Sequence, residues 1–176
     1  MTAKALPAGI DKDRHLNLRG REHHVWIRRA GVLLVGLVPL LALLNVFGQQ
    51  PSYSTVKASQ ATLRVDSPGH VRGGLIFTTH LTITPHQELR DMRVLLDSGW
   101  FRGMTFNGLS PQPETESSSG RWEVYDFGQV SAGVPFSIWI SWQTNPTNVG
   151  RHNQDIALTD GDNRILVAHR SLMVFP

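Results

Sequence analysis

The chain of 176 residues contains no cysteine. Disulfide bridges, thiolate metal sites and a cysteine nucleophile are therefore excluded. No Asn-x-Ser/Thr sequon in which x is other than proline occurs either. Secreted eukaryotic domains of this size often carry a disulfide, so both absences favour a bacterial protein.

The folded part of the chain also lacks an excess of positive charge. The net charge is +3, but residues 1–29 hold seven basic and three acidic side chains, whereas the chain after residue 48 holds ten basic and eleven acidic ones. A nucleic-acid-binding domain needs a basic face that releases counterions from phosphates. We therefore expect no nucleic-acid partner.

Charge is absent altogether from residues 30–48, nineteen residues dominated by leucine and valine. As a helix this segment would be about 28 Å long, close to the thickness of a bilayer's hydrocarbon core. Arg28 and Arg29 precede it, Trp26 stands where an interfacial aromatic anchor belongs, and the next charge is Lys57. The positive-inside rule then places the N-terminus in the cytoplasm and the C-terminus outside.

This pattern divides the chain into a basic cytoplasmic tail (1–29), a transmembrane signal-anchor helix (30–48), a polar linker (49–60) and an extracytoplasmic domain (61–176). A cleaved signal peptide is the alternative, with the mature protein starting at Gln49. The long basic region and the long apolar run favour the uncleaved anchor. The predicted location is the bacterial cytoplasmic membrane.

Residues 61–176 lack helical periodicity, and turn residues interrupt them about every ten positions. Short segments rich in Thr, Val, Ile and aromatics predict seven or eight antiparallel strands, the size of an immunoglobulin-like β-sandwich. In residues 134–143, Val134, Phe136, Ile138, Ile140 and Trp142 alternate with polar positions, as in a strand with one buried face. The other predicted strands are 61–65, 75–83, 89–96, 104–109, 122–127, 156–158 and 165–175.

Three segments resemble the prokaryotic conserved-repeat Ig-like domains: the predicted hairpin Phe127–Gly133, the pair Gly73-Gly74, and Leu89–Val94. The resemblance covers roughly residues 61–176 and implies a β-sandwich. The anchored layout resembles small actinobacterial membrane-anchored envelope proteins, which implies no particular activity.

No catalytic constellation is visible. There is no HExxH spacing and no Gly-x-Ser-x-Gly elbow. Asp160–Asn163 weakly resembles a calcium loop, but Asp-Gly between apolar strands is a hairpin signal in its own right. We therefore predict no catalytic residue, metal or cofactor. The histidines of the domain are scattered: His80, His86, His152 and His169.

The aromatic residues offer the best candidate site. Trp100, Phe101 and Arg102 stand between two glycines in a predicted loop, and Trp139 lies on the polar face of the 134–143 strand. Exposed Trp with Arg is typical of interface hot spots. The alternative is that these rings fold under the sandwich or against a loop.

Together these features predict a non-enzymatic, membrane-anchored envelope protein whose Ig-like domain binds a partner protein, as accessory subunit of a membrane assembly. The alternative is binding of envelope glycan or a small ligand by stacking on the aromatic rings. A hydrolase is a third, weaker reading.

Overall fold

A computed structural model describes residues 22–44, 46 and 49–176. The chain forms two compact units, divided between Leu44 and Asn45. Most of the predicted cytoplasmic tail, residues 1–21, lies outside the described residues, as do three residues at the end of the predicted membrane span.

In the first unit, the described residues 22–44 form one helix, α1, Glu22–Leu43. It begins before the predicted residue 30, so Trp26, Arg28 and Arg29 lie within its first turns, and the Arg29 guanidinium is 5.5 Å from the centre of the Trp26 ring. Residues His23–Leu43 form a candidate membrane span that contains an 18-residue window with a mean hydropathy of 1.8. Val32 to Val35 cover the whole circumference with apolar side chains, so the helix has no polar face there.

In the second unit, the described residues 49–176 form a β-sandwich of thirteen strands. Sheet I has the strand order β1-β2-β4-β9-β6, sheet II β12-β11-β5-β8-β7, and sheet III β10-β13-β3. The strands are β1 Tyr53–Lys57, β2 Ala61–Asp66, β3 His70–Arg72, β4 Ile76–Pro85, β5 Met92–Asp97, β6 Met104–Ser110, β7 Thr115–Ser119, β8 Trp122–Asp126, β9 Phe136–Thr144, β10 Gly150–Asn153, β11 Ile156–Asp160, β12 Asn163–Ala168 and β13 Ser171–Phe175.

Strand β9 confirms the alternation that its sequence predicts. Ile138, Ile140 and Trp142 are buried, whereas Trp139 on the opposite face is exposed. Val134 was expected on the buried face, but it precedes the strand and is 58% exposed, so that assignment was wrong.

Sheets I and II enclose one hydrophobic core. Aromatic rings join them: Phe106 of β6 stacks on Tyr125 of β8 with ring centres 6.2 Å apart, and Phe136 of β9 meets Phe127 at 5.3 Å. Such pairs add to the stabilisation from buried apolar area. The core aliphatic residues include Leu63, Leu81, Leu96, Ile140 and Leu158.

The sequence undercounted the strands, because β7 has no buried face and β1 has only a half-buried one. β1 lies within the segment expected to be a linker, and β7 lies in the acidic segment 114–119, outside the predicted strands; all of β7 is exposed. The predicted strand 165–175 is two strands, because the chain leaves sheet II after Ala168 and enters sheet III at Ser171. One pair, β13 with β3, is parallel rather than antiparallel.

The segment Phe127–Gly133 is not the hairpin that its sequence suggested. It carries the chain from β8 in sheet II to β9 in sheet I. Val130 and Leu89 exchange backbone hydrogen bonds of 2.8 and 3.0 Å within this crossing. The apolar residues and glycines of the motif therefore serve a connection between sheets.

Candidate binding surface

Trp100 is a core residue, which corrects the expectation of an exposed contact. It ends a short 3-10 helix, Ser98–Trp100, whose start is capped by the Asp97 carboxylate accepting from the Gly99 amide at 2.8 Å. Its side chain is 0% exposed and stacks on Trp142 at 5.3 Å. The indole N–H donates to the Asp155 carbonyl at 3.2 Å, so its one polar group is satisfied inside the fold.

Phe101 belongs to the same aromatic cluster. It is partly buried, meets Trp142 edge-on at 5.2 Å and lies 6.3 Å from Phe106. The preceding Gly99 marks tight packing: a Cβ there would overlap the carbonyl oxygen of Asn153. The segment with these glycines, which the sequence suggested to be an open loop, is therefore packed against β10.

Trp139, by contrast, is 52% exposed on the outer face of sheet I. Its ring stacks on the His80 ring with centres 3.7 Å apart and planes 7° from parallel. The two residues are directly opposite each other across β4 and β9, where side chains of one face touch. The stack restricts the indole without burying it.

The strand registers extend this pair into a straight row across all five strands of sheet I. Tyr53 is opposite Asp66, Asp66 opposite His80, His80 opposite Trp139, and Trp139 opposite Ser110. We call these five residues the aromatic row. Tyr53, at 72% exposure, was missed by sequence reasoning because it lay in the expected linker.

A groove of about 280 Å³ runs between Tyr53 at one side and His80 and Trp139 at the other. Asp66 lies between them. Its carboxylate is paired with Arg64 (Nε to Oδ2, 3.0 Å), and the Arg64 guanidinium lies 5.3 Å from the Tyr53 ring centre. The charges at this surface are thus matched, and the Tyr53 ring has a cation–π partner.

Hydrogen bonds from Arg170 fix the side of the groove that contains Ser67. Arg170 Nη2 donates to the Ser67 carbonyl at 2.7 Å, and Nη1 donates to Ser54 Oγ at 2.9 Å. Ser67 Oγ also lies 2.8 Å from Thr79 Oγ1. Burial lowers the pKa of Arg170 from its ordinary value, but an arginine stays charged at neutral pH. These bonds preorganise the groove, which reduces the entropy lost on binding.

Arg102 is exposed but lies elsewhere. It lines a second pocket together with Arg121 and Arg151, and that pocket shares no lining residue with the groove. The structure therefore does not bring Arg102 and Trp139 into one pocket, and of the four candidate contact residues only Trp139 lies at the groove.

Within residues 22–44, 46 and 49–176, no three His, Cys, Asp or Glu side chains converge as a metal site would require. Asp160-Gly161, the start of the calcium-like segment, forms the turn between β11 and β12. The Asp160 carboxylate accepts from the backbone amides of Arg90 and Asp91, both at 2.9 Å, so it has a structural role there.

No protein-family model matches the sequence, and no curated protein matches it. Among solved structures, a FixG-related protein from Vibrio parahaemolyticus is 14% identical, with a TM-score of 0.38 over 67% of this chain and 99% of that one. A non-cellulosomal cohesin from Archaeoglobus fulgidus is 11% identical, with a TM-score of 0.40 over 62% and 88%. The GAE domain of GGA2p from Saccharomyces cerevisiae is 9% identical, with a TM-score of 0.35 over 71% and 98%.

The β-sandwich predicted from the sequence is confirmed as the fold. The resemblance to conserved-repeat domains and to actinobacterial envelope proteins stays a prediction, because no family model matches. At identities of 14% or less, nothing about activity follows from these neighbours.

Proposed function

We propose that this protein is a non-enzymatic, membrane-anchored component of the bacterial envelope that binds a partner protein through the aromatic row. In this proposal, α1 is the anchor and the β-sandwich is extracytoplasmic, as accessory subunit of a membrane assembly. The observation that carries it is Trp139, half-exposed and stacked flat on His80. A large ring held in one orientation loses little conformational entropy on binding, and Trp and Tyr dominate interface hot spots.

The surroundings of Trp139 suit a protein interface. Ile76, on the same face of β4, is 58% exposed and adds apolar area. The neighbouring positions carry small hydroxyl side chains, and the one close ion pair, Arg64 with Asp66, is internally matched. A partner would therefore cover apolar rings and short polar groups, with no unpaired charge of these residues to desolvate. The hydroxyl residues are Thr78, Thr82, Ser137 and Ser141.

Glycan binding is the second candidate, and the position of Asp66 favours it. Tyr53 and His80 stand on strands two apart, roughly 9.5 Å at the usual strand spacing. Asp66, between them, offers a carboxylate that accepts hydrogen bonds from hydroxyl groups. A sugar ring could enter this groove with its face against an aromatic ring.

The partner-binding proposal predicts that Trp139→Ala weakens partner binding by about 2 kcal/mol or more, roughly 30-fold in Kd, while the melting temperature is nearly unchanged. The loss follows because the exposed indole contributes to an interface and little to the core. The partner is first identified by affinity purification of the tagged protein from native membranes with mass spectrometry, and Kd is then measured with the purified pair.

Val149→Ala is the matched control, since Val149 is an exposed apolar residue outside sheet I. It should leave binding unchanged. The double variant Asp66→Asn, Arg64→Gln separates the two candidates: it removes both charges of the pair and leaves neither unmatched, so protein binding should largely persist, whereas binding to a soluble glycan should fall. Equal binding by wild type and Trp139→Ala would contradict both candidates.

The anchor proposal predicts that protease added to intact spheroplasts removes a C-terminal tag and spares an N-terminal one. The physical reason is that Arg28 and Arg29 hold the N-terminal end of the apolar segment in the cytoplasm. The measurement is immunoblotting of both tags before and after lysis. A soluble mature protein that begins at Gln49 would contradict the anchor.

A further inference from the structure

A second pocket, away from the aromatic row, collects arginine side chains from three distant parts of the chain. Its volume is about 320 Å³. Arg102 comes from the turn after the 3-10 helix, Arg121 from the turn between β7 and β8, and Arg151 from β10. The pocket is lined by Asp97, Ser98, Gly99, Arg102, Arg121, Arg151, His152 and Asn153.

Arg121 is held in a fixed orientation. Its Nε lies 2.9 Å from Asp97 Oδ2, and its Nη2 lies 3.2 Å from Asp155 Oδ2. Asp155 is fixed in turn by the Arg170 backbone amide at 3.2 Å and by His169 Nδ1 at 3.1 Å. One guanidinium of the pocket is therefore preorganised by two carboxylates that are themselves nearly buried.

Arg102 and Arg151 have no such neutralisation. Both are exposed, Arg151 Nε donates to the neutral Ser171 Oγ at 3.1 Å, and neither forms an ion pair with any described residue. The pocket lining contains three arginines and one carboxylate, Asp97, so its net charge is +2. Including the neighbouring Asp155 and Arg170 leaves the excess unchanged.

His152 forms the buried side of the pocket. It is 9% exposed, and its Nε2 has no hydrogen-bond partner among the described residues. Burial, and then the positive charge of Arg102, lower the pKa of His152 from its ordinary value. The imidazole is thus neutral at pH 7, and one of its nitrogens is an N–H donor. Within the described residues the fold leaves the buried His152 Nε2 without a hydrogen-bond partner, which is unfavourable.

We propose that this pocket binds a phosphate group, with Arg102, Arg121 and Arg151 as its cationic ligands. A phosphate monoester carries about −1.5 to −2 charges at pH 7, which matches the excess of two positive charges. Guanidinium groups form paired N–H···O bonds to phosphate oxygens, and a preorganised guanidinium loses less entropy on binding. The site is independent of the partner surface, because the groove and this pocket share no residue.

The phosphate could belong to a free or small-molecule ligand or to a phospholipid headgroup, and one experiment distinguishes these sources. Full-length protein in maltoside micelles is titrated with inorganic phosphate against sodium chloride at equal ionic strength, and the melting temperature is followed. In a second arm, the micelles are doped with phosphatidic acid or with phosphatidylcholine. Stabilisation by inorganic phosphate indicates a free phosphate, and stabilisation by phosphatidic acid alone indicates a headgroup.

Arg102→Ala and Arg151→Ala should each raise the apparent Kd of the ligand that stabilises the wild type by at least about tenfold, as expected for the loss of a charge-assisted hydrogen bond. Both side chains are exposed, so the variants should melt normally in chloride. Arg90→Ala, which removes an exposed arginine outside the pocket, is the matched control and should bind as wild type does. No stabilisation in either arm, or an equal loss in all three variants, would overturn the proposal.

Discussion

Replacing Trp100 with alanine is expected to lower the free energy of unfolding by about 3–5 kcal/mol, the range for a large aromatic residue deleted from a core. The side chain is fully buried, and the substitution removes its stack on Trp142 and its hydrogen bond to the Asp155 carbonyl. In the variant, the Asp155 carbonyl no longer accepts a hydrogen bond from the indole N–H. For a domain at the lower end of ordinary stability, about 5 kcal/mol, this loss approaches complete unfolding.

Denaturation of the full-length protein in maltoside micelles, followed by circular dichroism, measures the effect. Trp139→Ala is the matched control, because it deletes the same side chain from the outer face of sheet I, where the indole is half-exposed. It should cost far less. If the two variants lost equal stability, the assignment of Trp100 to the core and Trp139 to the surface would be wrong.

Ile140→Ala is expected to cost about 2–5 kcal/mol, because it leaves a cavity where sheets I and II meet. Ile140 lies in the central part of β9, which pairs with β4 on one side and β6 on the other, and the side chain is fully buried. Neither neighbouring strand can move into the space without breaking its ladder of hydrogen bonds. The measurement is again the free energy of unfolding.

Ser137→Ala tests the other face of the same strand and should change stability by less than about 0.5 kcal/mol. Ser137 is exposed and lies opposite Thr82 across the strand pair. A large effect at Ser137 with a small one at Ile140 would mean that β9 is shifted by one residue, which would also turn Trp139 into the core.

The aromatic row and the core therefore depend on one register. Trp139 and Ile140 are neighbours in sequence and lie on opposite faces of β9 because strand side chains alternate. The same rigid sheet that buries Ile140 presents Trp139 beside His80 and aligns Asp66 and Tyr53 with it. A surface built on paired strands holds its contact residues more firmly than a loop does.

Local patterns were enough to predict the apolar helix, the cysteine-free β-sandwich and the faces of β9. Each depends on residues close together in the chain: an uncharged run of a given length, turn residues at regular intervals, or a two-residue alternation. The edge strand β7 escaped because it buries neither face, and β1 escaped because its half-buried face holds only Ser54 and Val56. Tyr53 was missed for that reason.

Only the tertiary structure decided which aromatic residues are available to a partner. Trp100 stands between Gly99 and Phe101, and neither neighbour shows which way its side chain points. It turns inward because the Asp155 carbonyl and Trp142, distant in sequence, form its site. The arginine pocket likewise unites Arg102, Arg121 and Arg151 through folding alone. Strand order and register bring such residues together, and these depend on long-range pairings that no single segment of the sequence encodes.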